Sequence, residues 1–116
     1  MKIRIKIIAV VLTAAIACFC LAGCGTPQIY GWENYQLNVY TNLKGDTSIE
    51  KQIDAMEKDL QKILSKNKKV PPGYYAHLGM LTAEANDRAR ARECFNEEKK
   101  RFPESAVLMD RFLARL

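Results

Sequence analysis

Few residues in this chain could do chemistry. There are four cysteines, Cys18, Cys20, Cys24 and Cys94, and a single histidine, His77. Zinc needs several clustered thiolate or imidazole ligands, and this set offers no such cluster, so no metal is expected. Cys94 and His77 fall on neighbouring helical stretches, where a thiol facing an imidazole would make a nucleophile and its base. No third group stands ready to orient the imidazole. Cys94 beside Phe95 therefore reads as a small apolar core residue, with His77 at a helix edge. Glu93, Glu97 and Glu98 are interleaved with Lys99, Lys100 and Arg101 and read as a solvated surface. Glu97 and Arg101 form an i,i+4 pair worth about a few tenths of a kcal/mol. Arg88, Arg90 and Arg92 alternate and so point to different faces of one helix. No glycine-rich phosphate loop or paired-acid arrangement is present. The chain reads as a non-enzyme without a bound cofactor.

One cysteine sits in a setting with chemistry of its own. Lys2, Arg4 and Lys6 precede an apolar run, Ile7 to Ala22, interrupted by Thr13. Sixteen helical residues rise about 24 Å, short of the roughly 30 Å of a bilayer's hydrocarbon core. A basic start, a short apolar run and small residues at its end read as an export signal. The closing residues Leu21, Ala22, Gly23 and Cys24 resemble the lipobox of bacterial lipoproteins. That resemblance implies acylation of the Cys24 thiol by diacylglycerol, cleavage just before it, and a further N-linked acyl chain of the palmitate class. Residues 1–23 are then a signal peptide and 24–31 a tether, leaving 32–116 as the body.

The whole chain has 116 residues, with 18 basic and 13 acidic side chains and a net charge of +5. Removing Lys2, Arg4 and Lys6 with the signal leaves a balance near neutrality, so no nucleic-acid partner is expected. Cys94 becomes the one remaining thiol, which excludes an intramolecular disulfide. Multiple acyl chains would hold the protein at a membrane without spanning it. Gly25 follows the cysteine where an aspartate would favour retention at the inner membrane. The expected address is thus the periplasmic face of the outer membrane in the cell envelope, with the body close to the lipid.

The body is small enough for one domain, and its apolar spacing is helical almost throughout. Trp32 to Leu43 is a candidate helix ended by Gly45 in a left-handed cap. Thr47 and Glu50 fit a capping box for a helix to about Lys66, whose apolar face is Ile49, Ile53, Met56, Leu60, Ile63 and Leu64. Lys66, Lys68 and Lys69 lead into the breaker Val70-Pro71-Pro72-Gly73. These lysines read as a solvated loop, with contact to anionic headgroups as the alternative. Tyr74 to Ala85 and Arg88 to Arg101 form a hairpin with Asp87 as N-cap, and Ser105 to Leu116 is a final amphipathic helix.

The hairpin carries a resemblance. Tyr75, Leu78, Gly79, Ala91, Phe95 and Pro103 fall on the spacing of a tetratricopeptide repeat, with Tyr75 and Thr82 departing from the usual residue types. The resemblance covers residues 72–105. Gly79 and Ala91 are small where two antiparallel helices approach closely, while Leu78 and Phe95 fill the contact. No second matching repeat precedes it, so the other helices must supply the packing. The expected fold is all-α, a small tetratricopeptide-like bundle of about five helices after the signal. Such a hairpin implies a concave strip, here Ala76, Met80 and Ala83, which either receives a partner or is covered by the chain's own terminal helices. Tyr30, Trp32 and Tyr35 just after the tether either meet the headgroup level or a neighbouring lipoprotein, or anchor the first helix.

The mature chain is also similar to a family of small bacterial lipoproteins known as a domain of unknown function. The shared features are the lipobox, Tyr30-Gly31-Trp32-Glu33-Asn34-Tyr35, Val70-Pro71-Pro72-Gly73 and Phe102-Pro103-Glu104-Ser105-Ala106-Val107 with Met109-Asp110-Arg111. This resemblance implies companions among envelope lipoproteins, including one like the curli secretion channel subunit, and brings no catalytic residues. The expected function is a non-enzymatic, lipid-anchored adaptor of an outer-membrane lipoprotein complex. A periplasmic lipoprotein that binds a peptide or small ligand is the second reading, and a thiol enzyme using Cys94 the third.

Overall fold

The computed structural model describes residues 1–21, 25 and 27–116, side chains of 17–21 excepted. The described chain is all-helical: α1 Lys2–Leu21, α2 Tyr35–Lys44, α3 Ile49–Ser65, α4 Tyr74–Glu84, α5 Arg88–Arg101 and α6 Ala106–Leu113, with a single 3-10 turn at Pro103–Ser105. Every described side chain of α1 is exposed. No helix among the described residues is long and apolar enough to cross a membrane.

From α2 onward each helix packs on the next in sequence. Gly45 adopts φ 71° and its N–H bonds the Thr41 carbonyl, closing α2. Asp87 caps α5 by accepting the Arg90 N–H at 3.0 Å. The expected capping box does not form: Ser48 is the N-cap of α3, without a side-chain bond, while the Thr47 hydroxyl turns to Asp46. The Thr47 carbonyl instead accepts Gln52 Nε2 at 2.9 Å. The first body helix also begins later than expected. Glu33 takes φ 39° and the Tyr35 N–H bonds the Trp32 carbonyl at 2.8 Å, so Trp32 lies in a turn before α2. The last helix stops at Leu113, short of the expected Leu116.

The core has two parts. Met56, Leu60, Ile63, Val70, Tyr74, Tyr75, Leu78, Leu81 and Cys94 form the larger one between α3, α4 and α5. Ala91, Phe95 and Met109 form the second, between the α4–α5 hairpin and α6. Full burial of each large apolar side chain contributes about 1.5–3 kcal/mol. Leu64, expected on the buried face of α3, is instead 47% exposed, because it follows Ile63 by about 100° around the helix. The α4–α5 contact is close because Gly79 lacks a side chain: a Cβ there would lie 2.6 Å from Phe95 Cε1. Tyr75, Leu78, Ala91 and Phe95 are all buried at this hairpin, and Pro103 opens the 3-10 turn.

Candidate functional site

Of the residues that resemble a lipobox, Ala22, Gly23 and Cys24 lie outside the described residues, and Leu21 is the last residue of α1. The segment before α2 meets the body at a defined place. The Gly31 N–H bonds the Lys69 carbonyl at 2.9 Å, and the Lys69 N–H bonds the Ile29 carbonyl at 3.2 Å. This parallel bridge between Tyr30 and Lys69 fixes Tyr30 beside the loop between α3 and α4. Gly31 is needed for the approach, since a Cβ would come within 2.9 Å of the Ile63 side chain.

The aromatic residues after the tether continue inward as a chain of rings. Tyr30 meets Trp32 edge-on at 6.4 Å, Trp32 meets Tyr35 at 5.9 Å, and Tyr35 meets Tyr74 at 5.1 Å. Tyr74 touches Tyr75 at 6.5 Å, and the Arg101 guanidinium lies 5.2 Å from the Tyr75 ring centre. Tyr30, Trp32 and Tyr35 thus connect by ring contacts to Tyr74 of the core, with Trp32 left 37% exposed. Tyr35 also donates to the Gly73 carbonyl at 3.2 Å. Burial, and then the charge of Glu98, raise its pKa above the usual tyrosine value.

Glu98 itself corrects the sequence reading, which placed it on a solvated surface. It is 2% exposed, and its Oε1 accepts the Gly73 N–H at 2.6 Å. Gly73 is the N-cap of α4 at φ 84°, so the carboxylate meets the positive end of a helix. Glu98 Oε2 is buried without a partner, as is His77 Nδ1. Burial lowers the His77 pKa, and the His77 ring lies 5.9 Å from that of Tyr35. Cys94 is fully buried, and burial pushes its thiol up to about 11, the opposite of what an activated nucleophile requires. No hydrogen bond joins Cys94 to His77 among the described residues.

Two further surfaces stand out. A groove of about 480 Å³ between α2 and α3 is lined by Asn34, Leu37, Asn38, Lys58, Asp59 and Lys62, among others. The Asp59 carboxylate, 3% exposed, accepts from Asn34 Nδ2 at 3.2 Å, Asn38 Nδ2 at 3.4 Å and Lys62 Nζ at 3.2 Å. Sequence reasoning missed this cluster. Its signal was present, because Asn34 and Asn38 are one turn apart and Asp59 adjoins the apolar stripe at Leu60. The expected strip divides: Ala76 and Ala83 pack against the cluster of Ala91, Phe95 and Met109, while Met80 is 51% exposed. Arg90, one of three alternating arginines, reaches Glu57 Oε1 through Nε at 2.9 Å and Nη2 at 2.6 Å. Among the described residues no group of side chains is arranged to hold a metal ion.

An all-helical body with an aromatic anchor and few reactive groups is the class of protein these features define. The family model described as a domain of unknown function, DUF4810, matches residues 29–112, and the chain belongs to that family. Neither a curated protein nor a solved structure matches the chain.

Proposed function

We propose that this protein is a non-enzymatic, lipid-anchored adaptor that helps assemble a complex of lipoproteins at the periplasmic face of the outer membrane. The observation that carries the reading is an apolar row on α2 that nothing among the described residues covers. Leu37, Tyr40 and Leu43 are 60%, 61% and 81% exposed on one side of the helix. Apolar side chains grouped on a surface in this way mark contact sites for other proteins. The lipobox-like Leu21–Cys24 supports the anchor, and the tetratricopeptide-like spacing of the α4–α5 hairpin supports a scaffold rather than a catalyst. Companions of the curli-channel type belong to the same reading. In-cell cross-linking and co-purification test it, with the acylated chain compared against Cys24→Ala. Recovery of another envelope lipoprotein by the acylated form alone supports the adaptor, and recovery of no protein by either form overturns it.

The second reading, a binder of a peptide or small polar ligand, is favoured by the Asp59 groove, where acids, amides and lysines converge. A binder retains its affinity in the Cys24→Ala chain and loses it in Asp59→Ala, whereas an adaptor depends on the anchor.

A further inference from the structure

We infer that the cleft at the tether's point of entry is a docking site for the phosphate of an anionic phospholipid headgroup, so that the body rests on the membrane by this end. The inference rests on the lipid-anchor reading and adds the orientation of the body to it. The cleft, about 290 Å³, is lined by Tyr30, Lys69, Val70, Arg101 and Phe102. Two of its walls are cationic and none is acidic. Among the described residues Lys69 has no ion-pair partner. Arg101 engages Glu97 through Nε at 3.1 Å and stacks on Tyr75, an arrangement that holds the guanidinium in place beside the cleft. A planar guanidinium and an exposed ammonium flanked by aromatic rings suit an oxyanion at a lipid surface.

The covalent chain supplies the second argument. From Cys24 to Tyr30 is six residues, a reach of at most about 20–22 Å. The Tyr30–Lys69 bridge keeps this cleft within that reach of any lipid on Cys24. Ile29, 63% exposed, and Trp32, 37% exposed, flank the bridge in sequence and offer apolar and amphipathic contact at headgroup depth. Anionic leaflets attract such basic groups within a Debye length.

Trp32 is the only tryptophan and meets Tyr30 of the cleft edge-on, so its emission reports the approach of this end of the body to lipid. The full chain is reconstituted into phosphatidylcholine vesicles with and without phosphatidylglycerol, each carrying a lipid spin-labelled near the headgroup. Mass spectrometry of the same preparation records whether Cys24 is acylated, which judges the anchor separately from the docking. The expected result is stronger quenching of Trp32 with phosphatidylglycerol, relieved by raised salt. Docking should weaken about fivefold in Lys69→Gln, and further in Lys69→Gln/Arg101→Gln, which also frees the Glu97 carboxylate beside the cleft. Lys69 is exposed and uses its backbone for the bridge, so the single variant keeps the fold even if loss of the Arg101–Tyr75 stack disturbs the double one. Equal quenching in both vesicle types, indifferent to Lys69→Gln, overturns the inference. A Trp32 response to inorganic phosphate alone, with none to vesicles, makes the cleft a soluble-anion site and also overturns it.

Discussion

The Glu98 carboxylate and the Gly73 backbone N–H, 25 residues apart, meet at 2.6 Å across the bundle. The bond joins α5 to the first turn of α4, and the Tyr35 hydroxyl donates to the carbonyl of the same glycine. Gly73 thus ties three helices together through its two backbone groups.

Loss of the acceptor should therefore cost more than a surface change. Glu98→Ala leaves the half-buried Gly73 N–H without its charged acceptor and is expected to destabilise by about 1.5–3 kcal/mol. Glu98→Gln keeps an amide oxygen for that bond while removing a buried charge, and should cost less than half as much. Urea unfolding followed by circular dichroism measures both. Equal losses would mean that the N–H bond is not what Glu98 contributes.

Gly79 offers a test in which two effects oppose each other. In an exposed helix Gly→Ala stabilises by about 1 kcal/mol. Here the new Cβ would fall 2.6 Å and 2.8 Å from two carbons of Phe95, whose ring is buried and stacked on Phe112 at 5.2 Å. Overpacking of a core costs about 1–3 kcal/mol, so Gly79→Ala should be destabilising on balance. A stabilised variant would show that the hairpin opens without loss. Gly31→Ala, against Ile63, should destabilise for the same reason and loosen the tether.

What was legible in the sequence follows the range of the interactions. Asp87 and Gly45 act on backbone within four residues of themselves, and both caps form as their residue types predict. The apolar stripe Met56, Leu60 and Ile63 is periodic and buries as written. Glu98 also lies on a stripe, one turn beyond Cys94 and two beyond Ala91, yet its charged type argues for solvent. Only the distant Gly73 N–H explains its burial. Trp32 reads as helical by composition, but the positive φ of Glu33 and the tether's bridge to Lys69 decide its conformation. The Asp59 cluster was legible only in part: Asn34 and Asn38 are one turn apart and Leu60 beside Asp59 is apolar, but the meeting of the amides with Asp59 depends on how α2 packs on α3. The lipobox-like Leu21–Cys24 remains a property of the sequence.

His77 predicts a pH dependence. Burial lowers its pKa below the ordinary 6.5, so the unfolded chain binds a proton more readily than the folded one. The contribution of neutral His77 is fully present above 6.5 and is lost as pH falls through 6.5 towards the lower folded value. Stability measured by denaturant midpoint should decline across that window. In His77→Gln this component of the slope should vanish. An unchanged slope would assign the acid sensitivity to other groups.

Cys94 should be unreactive in the native state. Its thiol is buried and pushed up to about 11, which leaves little thiolate near neutral pH. In the full chain with Cys18, Cys20 and Cys24 changed to alanine, a disulfide reagent should label Cys94 only as fast as the protein unfolds, and at once in urea. Cys94→Ser should leave function intact at some cost in stability, because a hydroxyl would replace a sulfur packed among Leu78, Leu81 and Tyr75. Rapid native labelling would revive the thiol-enzyme reading.

The α2 row separates recognition from folding. Leu37, Tyr40 and Leu43 are more than half exposed, so replacing each by serine removes little buried area. The expected change in stability is within about 0.5 kcal/mol per site, apart from small helix-propensity terms. If the row receives a partner lipoprotein, the triple variant should fold as the parent does, carry the same modification on Cys24, and yet lose its cross-link. Contrast this with Met109→Ser on α6, which is 1% exposed and should lose stability and partner together. Retention of the cross-link by the α2 triple variant would move the contact to another face, with exposed Met80, Val107 and Leu108 the next to be changed.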